Sequence, residues 1–397
     1  MKYAAHTVMT VMLLLFGAAC EDAVLDVEPP IDSVEDDRLN REDQVPFLVT
    51  GVQAKFAQIY DQITMFAGGL SDELVFDRRV PGATYPTYAE LDNGNITLAN
   101  ASVSETMLIL GQLRLLADTL VTRVDRIAFT DPERRGNALY HGYFYGAIAR
   151  YLWGAYFGLE SERGGGVINS GPFIPSTEMY AQALDLLDLA VQNALTDYDA
   201  RAALSLEARI HLLEGRYSEA DAVARGGLNQ GDAPLSALYS SDLANGWHYG
   251  AGAGRTQFVV DDRYVSYLTA DPNEETRIPI VQVTQTRFRQ DKYPELDSPL
   301  PFVTWQEMVL IQAEAALRDG QTGPALDLVN AVRQSHGLED LDDITLEGLI
   351  VERDKELFCM GIRLLDQRRL DLWHLPDGTW KYLPITQRER DSNPNLN

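Results

Sequence analysis

The run Ala203-Leu-Ser-Leu-Glu207-Ala208-Arg-Ile-His-Leu212-Leu-Glu-Gly215-Arg216-Tyr217-Ser-Glu-Ala220-Asp221 decides how the rest of the chain is read. Small residues at Ala203 and Ala208 let one helix approach another closely. Gly215 permits a tight turn that a residue with a Cβ enters only under strain. Tyr217 then opens a second helix and packs back across the turn.

Two further segments share parts of this pattern. Tyr180-Ala-Gln-Ala183-Leu184 lies 37 residues before Tyr217 and repeats the opening of the second helix. A looser copy runs Ala313-x-Ala315-Ala316-Leu317-x-x-Gly320, followed by Pro324-Ala325-Leu326. Thr304 and Glu307 stand ahead of it at capping-box spacing, and Pro324 falls in the first turn of its second helix, where an amide hydrogen has no partner anyway. Helix, glycine turn, helix is the tetratricopeptide arrangement, whose pairs bury their apolar faces only by stacking on neighbours. Elsewhere Leu48, Val52, Phe56, Ile59 and Ile63 step by three and four, as do Met107, Leu110, Leu113, Ala117, Leu120 and Val124. The expected fold is mainly α: tetratricopeptide-like repeats in an α-α superhelix, helical over most of 45–231 and 302–375, with little β structure. Two loop-rich excursions interrupt it, at 65–100 and at 232–300. Ile278-Pro-Ile280-Val-Gln-Val283 in the second alternates as one arm of a short hairpin would. Structured loops on a helical scaffold are where binding usually resides.

The 397 residues carry 59 acids against 33 bases, a net charge of −26, and this argues against nucleic acid as a partner. Hydrophobic residues make up 45%, enough for a sizeable core. HExxH, GxSxG, CxxC and GxxxxGK[ST] are absent, and the six His form no constellation, so neither an enzyme nor a cofactor is expected. Gly250-Ala-Gly252-Ala-Gly254 lacks phosphate-loop spacing and reads as a flexible loop. Asp271-x-Asn273-x-Glu275 alternates oxygen ligands but lacks the glycine that turns an EF-hand loop, and no metal site is assigned.

Residues 1–19 read as a secretory signal: a basic start at Lys2, an apolar core from Val8 to Phe16, then small residues. Cys20 follows where lipoprotein processing would place the acylated residue. Residues 20–44 (EDAVLDVEPPIDSVEDDRLNRED within them) read as a lipid-anchored acidic tether, and 45–397 as one helical domain.

The most distinctive segment is Glu352-Arg353-x-x-Glu356-Leu357-Phe358-x-x-Gly361-x-Arg363-x-x-Asp366-x-x-Arg369. Thr345 is placed to cap its first helix, and Gly361 to turn the chain sharply. Arg363, Asp366 and Arg369 are spaced by three, so their charges can pair along one helical face. Such a block either binds an anion or locks two helices together. The lock is the expectation for Arg353, Glu356, Arg363, Asp366 and Arg369.

With Leu70-Ser-Asp72-Glu73, Glu307-Met-Val-Leu310-Ile-Gln-Ala313-Glu314-Ala315, Leu328-x-Asn330-x-x-Arg333 and this last block in order, the chain resembles the SusD/RagB nutrient-uptake outer-membrane lipoproteins of Bacteroidota. Glu21-Asp22 after Cys20 resembles their acidic surface-export signal. The resemblance implies a cell-surface, lipid-anchored binding protein that caps a SusC-like TonB-dependent transporter, captures an oligosaccharide or a peptide, and passes it on. A lipid-anchored scaffold for other proteins and a glycoside hydrolase are the rival readings. In relatives the ligand site is built from loops of the two excursions. Sugars present an apolar face and a rim of hydroxyls, so exposed rings beside polar side chains are the candidates. These are Trp247, Tyr249, Tyr264 and Tyr267 in the long insert and Tyr85 and Tyr88 in the earlier one, with Arg78, Asn93 and Asn95 as hydrogen-bond partners. Trp247 heads the set, because the glycines around it leave it little local structure to pack against.

Overall fold

The computed structural model describes residues 36–396. The signal, Cys20 and residues 20–35 lie outside them. The tether expected at 20–44 ends sooner than its composition implies. Asp36–Leu39 and Glu42–Gln44 form two short 3-10 turns that dock on the helical body. Arg123 donates to Asn40 Oδ1 at 2.8 Å and also pairs with Asp36. Glu42 accepts from the Thr130 and Asp131 amides, which holds the turn before the next helix.

Helices α1 (Val45–Leu70), α2 (Pro86–Asp92), α3 (Ala101–Val124), α4 (Pro132–Tyr156), α5 (Ser176–Asn193), α6 (Asp197–Leu213) and α7 (Tyr217–Ala224) form the first part. Two short helices, α8 (Gly246–Gly250) and α9 (Asp262–Ala270), lie within the long insert. Then come α10 (Trp305–Arg318), α11 (Thr322–Ser335), α12 (Leu346–Glu356), α13 (Ile362–Arg369) and α14 (Gln387–Ser392). The fold is mainly helical, as expected.

The repeat reading holds for the two pairs that turn through Gly215 and Gly320. Gly215 and Gly320 take φ of +72° and +74°, so both pairs turn through a left-handed glycine. In each the glycine amide reaches back three residues and the next amide five: Gly215 to Leu212 and Arg216 to His211, Gly320 to Leu317 and Gln321 to Ala316. Those bonds satisfy carbonyls that a helix end leaves orphaned. The two pairs then stack. Ala208, Leu212, Ala220 and Ala224 of one meet Met308 and Ile311 of the other. The Arg318 guanidinium lies 3.9 Å from the Tyr217 ring centroid. Tyr180 does not open its helix but sits in the second turn of α5. The capping box at Thr304 is half made. Thr304 Oγ1 accepts from the Glu307 amide, but the Glu307 carboxylate binds Arg209 instead.

The strands are short. Leu383–Pro384 near the C-terminus runs parallel to Phe157–Glu160, which follows α4, and two further strands, Arg163–Gly166 and Ile174–Pro175, complete that sheet. The hairpin expected near 278–283 is present, Ile280–Gln282 against Phe288–Gln290. Leu74–Val75 pairs with Val259–Val260, joining the two excursions to each other.

Beneath that junction two carboxyl groups are buried. Glu73 Oε1 accepts from the Cys359 amide at 2.7 Å, and Asp61 Oδ2 from the Gly246 amide at 2.7 Å. Their other oxygens, Glu73 Oε2 and Asp61 Oδ1, have no hydrogen-bond partner among the described residues. Burial pushes Glu73 up to about 8 and Asp61 up to about 7. A carboxyl whose folded pKa is raised contributes stability that is fully present below its ordinary value near 4 and is lost as pH rises through the folded one. Glu73→Gln should therefore flatten the fall in stability between about pH 5 and pH 8, a gain on the order of a few kcal/mol at the upper end. Urea midpoints of the two proteins across that range check it. Parallel pH curves would show that Glu73 is already ionised in the fold.

Candidate functional site

The two excursions meet at one place, and a glycine allows it. At Gly82 a Cβ would stand 1.6 Å from the Arg255 carbonyl oxygen, so only glycine permits this approach. Gln257, buried in the insert, accepts from the Thr84 and Tyr85 amides, both at 3.0 Å, and fixes the earlier loop against the later one. On the other side the Gly250–Gly254 run folds back on α8. The Gly254 amide donates to His248 O and the Arg255 amide to Tyr249 O.

This brings Tyr249, Tyr85, Arg255 and Thr84 together. Tyr249 is 46% exposed. The Arg255 guanidinium lies 4.6 Å from the Tyr85 ring centroid and donates to the Tyr85 hydroxyl at 3.0 Å and to Thr84 Oγ1 at 2.9 Å. The same guanidinium draws the Tyr249 phenol below its ordinary range. Behind them Tyr88 is buried, edge-on to Tyr85 at 5.5 Å and stacked on Phe258 at 5.0 Å. The result is a half-exposed aromatic surface with hydroxyl and guanidinium groups at its rim, resting on buried rings. Arg255 and Thr84 were not among the sequence candidates. The signal available for Arg255 was its place as the first basic residue after the glycine run.

Three of the candidate rings, Trp247, Tyr264 and Tyr88, are buried, and Tyr267 is half-buried. Trp247 is fully buried, which corrects the expectation of an exposed ring. Its indole Nε1 donates to Thr64 Oγ1 of α1 at 2.9 Å, and its ring packs near Tyr293. Tyr264 is buried too, its ring 4.5 Å from Phe358 and its hydroxyl donating to Asp354 at 2.9 Å. Tyr267, half-buried, donates to the other oxygen of Asp354 at 3.1 Å. These rings and Tyr88 support loops. Asn93 and Asn95 are exposed, with Asn93 Oδ1 accepting from the Asn95 amide. Their turn lies against the C-terminal segment, where Gly94 O accepts from the Trp380 amide. Arg78 is exposed on the first excursion, next to an Arg79–Asp77 pair.

The C-terminal block is a set of ion pairs, but partly with partners other than those expected. Arg353 and Arg369 share Asp366, and Arg369 also binds Glu314 at 2.7 and 2.8 Å. Arg363 does not pair with Asp366. It reaches Asp72 of the first excursion at 2.6 and 2.8 Å, beside Arg263, which binds both Asp72 and Asp354. Glu356 meets His336 at 3.0 Å, while Glu274 and Glu352 share Arg277, Arg333 and Lys355. Asp271, of the rejected calcium pattern, accepts from the Asn273 amide and caps a helical turn.

No family model matches the chain, and no curated protein matches it in sequence. Solved structures do. A SusD superfamily protein from Bacteroides vulgatus superposes with a TM-score of 0.71 at 16% identity, over 89% of this chain and 97% of that one. A laminarin-binding SusD-like protein gives 0.71 at 15%, over 89% and 99%. Surface glycan-binding protein A from Bacteroides thetaiotaomicron gives 0.70 at 15%, over 90% and 98%. At these identities the likeness concerns architecture, and the architecture is shared from end to end: this chain has the SusD-like fold.

Proposed function

We propose that this protein captures carbohydrate on the face formed by Tyr249, Tyr85, Arg255 and Thr84. The observation that carries the reading is the exposed Tyr249 ring beside a guanidinium already committed to Tyr85 and Thr84. An aromatic face offers the C–H side of a sugar ring a surface, and the fixed donors at its rim suit hydroxyls. The laminarin-binding and surface glycan-binding proteins of the same fold support it. The protein acts as a binder rather than a catalyst. In support, Asp72, an acid of the first excursion, is committed to Arg363 and Arg263. In this reading Cys20 carries the lipid, the protein faces the cell exterior on the outer membrane, and a SusC-like TonB-dependent transporter receives the captured oligosaccharide.

Tyr249→Ala should weaken binding of a soluble glycan such as laminarin by ~1–2 kcal/mol, roughly tenfold, with an unchanged helical circular dichroism signal because the ring is exposed. Titration calorimetry of wild type, Tyr249→Ala and Arg255→Ala over a glycan panel measures this. Full affinity in both variants for a glycan the wild type binds would move the site elsewhere.

A further inference from the structure

A cavity of about 470 Å³ lies away from the tyrosine face, between the first turn of α10, the 276–294 segment and the end of α12. Trp305, Met360 and four prolines (Pro234, Pro279, Pro294, Pro301) give it an apolar lining. Cavities of this size hold small organic ligands. Its charged lining groups are almost all neutralised. Arg277 is held by Glu274 and Glu352 and reaches Glu356 at 3.8 Å, and Asp291 is held by Arg289.

Lys292 is different. Its ammonium donates to the Phe358 carbonyl at 2.8 Å, and no carboxylate among the described residues stands within ion-pair distance. One of three N–H donors is thus used, and two remain. Burial holds the amine below its ordinary range, an effect a bound anion would reverse. Thr304, Trp305 and Gln306 also line the cavity, so the N-terminal end of a 14-residue helix opens on it. The first amides of a helix lack intrahelical partners, and the helix dipole there favours negative charge.

We propose that this cavity binds a small ligand bearing a carboxylate, the carboxylate on the Lys292 ammonium and the ligand's body against Trp305. The chain's net charge of −26 repels anions at long range. Within the cavity, groups closer than a Debye length of about 8 Å set the field. A carboxylate of this kind belongs either to a uronic acid or to a peptide C-terminus.

Calorimetry with the purified protein would compare glucuronate with glucose, and acetyl-dialanine with its amide. At least one acid should bind about tenfold more tightly than its neutral partner. Lys292→Met should abolish that preference. Gln306→Trp, which adds a ring from a partly exposed position, should abolish binding by filling the cavity. Tyr249→Ala should leave the preference intact, which separates this cavity from the glycan face. Whichever acid binds identifies the source of the carboxylate. The proposal is overturned if neither acid binds, if acids and neutral partners bind alike, or if the preference survives in folded Lys292→Met. Should Lys292→Met fail to fold, acid binding that persists in Gln306→Trp overturns it.

Discussion

Replacing Arg209 with Met should destabilise the fold by about 3–5 kcal/mol, because it strands a buried carboxylate. Arg209 and Glu307 join the two stacked repeat pairs, Nε to Oε1 at 2.6 Å and Nη2 to Oε2 at 2.5 Å, with side chains 2% and 0% exposed. The guanidinium also donates to the Phe302 carbonyl and lies over the Phe302 ring. The double variant Arg209→Met with Glu307→Leu should recover much of the loss, since a buried ion pair can often be replaced by apolar residues of similar volume at little cost. Urea unfolding of the three variants reads both effects. A single variant that unfolds at the wild-type midpoint would mean that water reaches this pair.

Trp247→Ala should cost a comparable ~3–5 kcal/mol, the range for emptying a buried aromatic site. The ring is fully enclosed, and its loss also removes the donor to Thr64 and loosens α8 from α1. Trp247→Phe keeps most of the packing and should cost much less, nearer ~1 kcal/mol for the missing hydrogen bond. Thermal melting distinguishes the two. A Trp247→Ala protein that melts like wild type yet has lost glycan binding would return this residue to the ligand site.

The repeat pairs were legible in the sequence because their determinants are local. Gly215, Gly320 and the small residues around them specify a turn and a close helix contact within about twenty residues, and the structure has both. The hairpin at Ile280–Gln282 was legible for the same reason. What the sequence did not disclose were partners brought from afar. Spacing by three pointed Arg363 at Asp366, whereas folding offers it Asp72, 291 residues away. Likewise the glycines around Trp247 describe a neighbourhood without local packing. Its cover comes from Thr64, 183 positions earlier. The candidate site was legible as two regions but not as residues. Tyr85 and Tyr249 could be nominated by type, but Arg255 and Thr84 matter only because Gly82 lets the loops touch.

The link from Glu73 to the Cys359 amide, with that from Asp72 to Arg363, closes loops of 286 and 291 residues. A solenoid of repeats can fold from any point and tolerate the loss of an end, because each unit touches only its neighbours. Here the buried Glu73 carboxyl, just beyond α1, gains its Cys359 amide donor only after nearly the whole chain exists. High contact order of this kind slows folding, since the entropy of closure is spent before the contacts return it. The molecule therefore resembles an array in its middle and an indivisible unit at its seam. A chain cut before residue 359 would retain its helix pairs while leaving α1 without the partners that close the fold.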